Sequence, residues 1–68
     1  MNNETAGRLE VWLTAKELSR TELAALLGVS VPLVSLVLAG KRPASAGFKA
    51  RFTRAFGWEA ARVVFDDQ

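Results

Sequence analysis

The chain contains neither cysteine nor histidine. Without cysteine, neither a disulfide scaffold nor a thiolate metal site can hold it together. Without histidine, zinc loses its usual ligand and acid-base chemistry its usual residue. No catalytic residue, metal site or cofactor is therefore expected, and an enzyme is not. Long apolar runs are missing as well: nothing approaches the roughly 20 residues needed to cross a bilayer. The opening residues, Met1 to Thr5, are polar and acidic, unlike a secretory leader. A cytoplasmic protein with no membrane partner and no small-molecule substrate is expected. Asn3-Glu4-Thr5 fits a glycosylation sequon, but in a chain without a leader the match is coincidence. There is no internal repeat, low-complexity run or linker to divide the chain. One domain over 1–68 is expected, small enough to bury only about 60% of its unfolded surface. Self-association would help so small a core.

Acid is also unevenly missing. Residues 1 to 22 hold four Glu against Arg8, Lys16 and Arg20, whereas residues 23 to 58 hold Lys41, Arg42, Lys49, Arg51 and Arg54 with no acid at all. Glu59, Asp66 and Asp67 restore the balance, so the net charge is only +2. A one-sign central segment is what a polyanion-binding face needs, because contacts with phosphates release counterions and supply most nonspecific affinity.

Apolar spacing and punctuation predict five helices, at about 5–17, 20–27, 31–39, 45–56 and 58–65. In the first, Ala6, Leu9, Trp12 and Leu13 recur at three and four residues, with Trp12 in the core. Ser19 and Glu22 have the spacing of a capping box, which starts the second helix; Gly28 closes it by turning left-handed. Ser30 is a candidate cap for the third helix, and Val34, Val37 and Leu38 carry its inner face until Gly40. Pro32 complicates that start, since proline biases its predecessor away from helical angles. Either Ser30 caps a helix that includes Val31, or the helix begins at Pro32. Ser45 caps the fourth helix, whose Phe48, Phe52, Ala55 and Phe56 form one stripe before Gly57. Residues Trp58 to Phe65 make either a short fifth helix or an extended tail, and Asp66, Asp67 and Gln68 are expected to fray. The fold class is all-α, a compact bundle of four to five helices.

The stretch from Ser19 to Arg42 is two short helices joined by a tight turn, followed by two bases. Leu23, the small Ala24, Gly28 and Val29 at the turn, Val34 and Val37, and Gly40-Lys41-Arg42-Pro43 at the exit stand in one register. In that register the chain resembles the helix-turn-helix of the phage-repressor type, the Xre-like family that includes lambda repressor and Cro. The resemblance covers about the last fifty residues. It implies sequence-specific binding to double-stranded DNA, with the third helix in the groove and the protein acting as a homodimeric repressor associated with the nucleoid.

On that resemblance the side chains facing base edges are Val31, Pro32, Leu33, Ser35 and Leu36, and phosphate contacts fall to Arg20, Ser30, Lys41, Arg42 and Lys49. Arg51 and Arg54 are read as solvated. Only Ser35 on the reading face can hydrogen-bond, so specificity would come from Ser35, thymine methyl contacts, Lys41 and Arg42, or DNA shape. The apolar patch of Val31, Pro32, Leu33 and Leu36 keeps a second reading open, a protein partner as in an antitoxin or a phage accessory factor. The surplus apolar residues after Gly57, namely Trp58, Val63, Val64 and Phe65, are read as a dimer interface; otherwise they close the bottom of the core.

Overall fold

The computed structural model describes residues 2–65, with side chains from Glu4 to Phe65. Asp66, Asp67 and Gln68 lie outside the described residues, as does the side chain of Asn3 in the sequon. Among the described residues there are five helices and no strand: α1 (Asn2–Lys16), α2 (Arg20–Leu27), α3 (Val31–Leu38), α4 (Ala46–Phe56) and α5 (Trp58–Phe65). The fold is all-α, with a Cα radius of gyration of 10.4 Å.

Each boundary has a local cause. Helix α1 starts three residues earlier than its apolar spacing predicts, and carries Glu4 in its first turn and Lys16 in its last, the signs its dipole favours. It ends at Glu17, whose φ of 58° is the one positive value outside glycine among the described residues. That turn lets the Leu18 N–H donate back to the Leu13 carbonyl at 3.0 Å. At α2 the capping box is complete: Ser19 Oγ accepts from the Glu22 N–H at 3.0 Å, and Glu22 Oε1 accepts from the Ser19 N–H at 2.8 Å. Gly28, at φ 72°, closes α2, and the Val29 N–H returns to the Ala24 carbonyl.

Ser30 caps α3 by accepting from the Leu33 N–H at 3.3 Å. Val31 therefore lies inside the helix, and Pro32 sits in the first turn, where its missing N–H breaks no helical hydrogen bond. The helix stops at Leu38, one residue before the expected end, with Ala39 as its cap and Gly40 turning left-handed at φ 74°. Ser45 caps α4 through the Phe48 N–H and lies just outside it. Trp58 to Phe65 is helical, not extended, because its inner residues find a site in the core.

That core joins all five helices. Helix α5 packs on α4 and α1, α3 packs on α1 and α2, and α2 also packs on α4. Leu9, Leu23, Val34, Phe52 and Val64 are fully buried, and no polar or charged residue is buried among the described residues. An aromatic chain ties three helices together: Trp12 meets Phe52 at 5.0 Å and Phe56 at 4.8 Å, and Phe52 meets Phe65 at 5.3 Å, all edge to face. Offsets of this kind contribute about 0.5 to 1.5 kcal/mol each beyond area burial. No single described helix is long and apolar enough to cross a membrane.

Candidate nucleic-acid interface

Helices α2 and α3 are bent by 116° at the turn between them. Two helices of this length at such an angle have the geometry of a helix-turn-helix unit, in which the second helix can project from the surface. The inner faces explain the angle. Leu23, Ala24 and Leu27 from α2 and Val34, Val37 and Leu38 from α3 are all buried, and Ala24 takes little room where the helices approach.

The outer face of α3 is narrower than the sequence implied. Val31, Pro32 and Leu36 are exposed and Ser35 is half-buried, but Leu33 is half-buried and packs against the core, which removes it as a full member of the outer face. At the far end the chain doubles back, so that the Lys41 and Arg42 N–H groups both reach the Leu36 carbonyl, at 3.0 and 3.3 Å. Two exposed bases are thereby held against the C-terminal end of α3. Cations there also complement the helix dipole. At the other end, the Ser30 hydroxyl accepts the cap bond and keeps its own proton for an outside acceptor, a phosphate oxygen included. Arg20 is exposed at the first position of α2.

Lys49 is placed differently from that group. It is half-buried, and its ammonium lies 5.6 Å from the Phe65 ring, so its side chain is turned toward α5. Arg51, expected to be merely solvated, donates from Nη1 to the Leu27 carbonyl at 3.0 Å and is 3.5 Å from that of Gly28. It closes the C-terminal end of α2 from α4. Arg54 is exposed and shares the shallow hollow beside that contact with Leu26 and Ala55.

The proposed tail interface needs a correction. Val64 is 0% and Phe65 4% exposed within a single chain, because α5 turns them against α1 and α4; neither can anchor a partner. Trp58 and Val63 remain outside at 59% and 63%. The Arg62 guanidinium covers one part of the Trp58 ring, 5.3 Å from its centroid. Sequence spacing also missed an outward apolar residue in α1, Val11, at 69% exposure. The signal was present: Val11 lies off the stripe of Ala6, Leu9, Trp12 and Leu13.

No family model, curated protein or solved structure matches this chain.

Proposed function

We propose that this protein binds double-stranded DNA through α3 and regulates transcription, most simply as a homodimeric repressor on a two-fold operator in the cytoplasm. The observation that carries the reading is the 116° α2–α3 unit with Lys41 and Arg42 folded against the end of the outward helix. In this reading Arg20, Ser30, Lys41 and Arg42 hold phosphates and fix the register. Val31, Pro32, Ser35 and Leu36 face the base edges, and Lys49 is a weaker phosphate candidate because its ammonium is engaged beside Phe65. With one hydroxyl on the reading face, discrimination rests on thymine methyl contacts and on DNA shape. No reaction is assigned to the chain.

Arg20→Ala, Lys41→Ala and Arg42→Ala test the backbone contacts. Each should weaken binding to any duplex about equally and reduce the salt slope by roughly 1. A triple variant that binds duplex DNA at low salt as tightly as the wild type would remove the basis for this reading. On a site selected from a randomised pool, Ser35→Ala, Leu36→Ala and replacement of thymine by uracil should each lower the ratio of specific to nonspecific affinity.

The exposed Val31, Pro32 and Leu36 favour one competing reading, a protein partner seated on α3. Salt separates the two. Phosphate-driven binding weakens steeply as ionic strength rises, whereas an apolar protein contact responds little and shows a negative heat-capacity change.

A further inference from the structure

The outward side of α1 together with the flank of α5 forms an open apolar groove that no part of the DNA reading uses. Val11 and Val63, both more than half exposed, lie along it with the edge of Trp12. One end is bordered by Glu4 and Arg8, which pair at 4.0 Å, and the other by Lys16 and Glu59. We infer that this groove is a two-fold contact between two copies of this chain, with the α1 helices antiparallel across Val11.

Three observations point to a second copy and not to a foreign partner. The first is charge. Each end of the groove carries one acid and one base, so its net charge is zero. A half-turn about Val11 exchanges the ends, bringing Glu4 and Arg8 of one copy toward Lys16 and Glu59 of the other. A face of balanced charge offers each end of the second copy a partner of opposite sign and no net repulsion, whereas a nucleic acid or a strongly acidic peptide would need one sign.

The second observation is Gly7. A mid-helix glycine costs roughly 0.5–1 kcal/mol relative to alanine, and nothing in the monomer requires it: its φ is not positive, and a Cβ built there meets nothing within 4 Å. Gly7, Val11 and Ala15 stand four residues apart on one side. In an antiparallel pairing Gly7 faces the partner's Ala15, and two small residues let the helix backbones approach around the central valines. The monomer leaves the glycine unexplained; the pairing gives it a reason.

The third is size. A stable interface takes roughly 800 Å² from each partner, close to a fifth of the 4393 Å² surface of this chain. Trp58 and Val63 alone cannot supply that, and α1, at 15 residues the longest of the five helices, offers with α5 beside it a much larger face. The residues assigned to DNA on α3 and its exit do not line the groove, so both faces can be occupied together.

The absence of native cysteine makes the test clean. Sedimentation of the full chain without DNA, from low to high micromolar, should show a dimer. Gly7→Leu and Val11→Asp should each raise the dimer Kd by at least about tenfold, with the helical circular dichroism of the wild type retained. Gly7→Leu is informative because leucine favours the helix and its Cβ meets nothing within 4 Å, so a variant with the circular dichroism of the wild type that no longer dimerises has lost the contact and not the fold. Val11→Cys should cross-link to itself under mild oxidation, and Leu26→Cys, comparably exposed on α2, should not. The inference is overturned if the wild type stays monomeric at high micromolar concentration, if either variant dimerises like the wild type, or if Leu26→Cys cross-links as fast as Val11→Cys. None of these outcomes depends on whether α3 binds DNA.

Discussion

Glu17 is a glutamate in a conformation that glycine adopts freely. Its φ of 58° puts Cβ against the following backbone, and no described side-chain hydrogen bond offsets this. Left-handed angles cost an ordinary residue about 1–2 kcal/mol, partly offset by the extra unfolded-state freedom of glycine. Glu17→Gly should therefore stabilise the fold by roughly 0.5–1 kcal/mol, a rise in Tm of several degrees in a thermal melt. No rise would mean that a contact of Glu17 holds the turn. Arg51 works in the opposite sense. Its guanidinium supplies a donor to the end of α2, so Arg51→Met should lower stability by about 1 kcal/mol in denaturant titration, with no change in duplex binding at matched folded fraction. Neither role was legible in the sequence. Nothing marks Glu17 as left-handed, because helix ends are usually signalled by glycine, and the separation of 24 positions from Leu27 to Arg51 hides their meeting from any local pattern.

Elements were more legible than residues, and the reason is that their ends are local. Ser19 with Glu22, Ser30 with Leu33 and Ser45 with Phe48 are hydrogen bonds across three residues, so spacing alone announces them. Ser19→Ala removes one side of a reciprocal cap and should cost about 1 kcal/mol, read as a lower midpoint in urea at unchanged slope. Glu22→Ala should cost less, because its partner, the Ser19 N–H, is exposed and water can replace the carboxylate. Gly28→Ala tests the turn: φ is 72°, so a side chain there is strained, and the added methyl would lie 3.1 Å from the Arg51 guanidinium, which must give by a few tenths of an ångström. Destabilisation by more than 1 kcal/mol is expected. What spacing could not decide was direction. Leu33 and Leu36 are both leucines on α3, yet one leans on the core and the other faces outward, and that follows only from where α1 and α2 lie.

At the scale of the whole molecule, stability is a small difference, on the order of 3–10 kcal/mol for a chain this short. Adjacent residues of α5 show how narrow it is. Val64 is fully buried and Val63 is 63% exposed. Val64→Asp would bury an unpaired carboxylate at a cost of several kcal/mol, enough to unfold the domain. Val63→Asp should retain the wild-type circular dichroism and change only self-association. If both variants melt alike, α5 is not seated as described. The sequence could flag the apolar surplus after Gly57, but it could not divide it, since one hydrophobic run can close a core or greet a partner and only packing tells which. The seating of α5 also orders events in time. Because α1 rests on α5, α1 stays without one of its neighbours until the chain has been made through Phe65. A chain cut back to Gly57 should therefore be digested by protease much faster than one that includes α5.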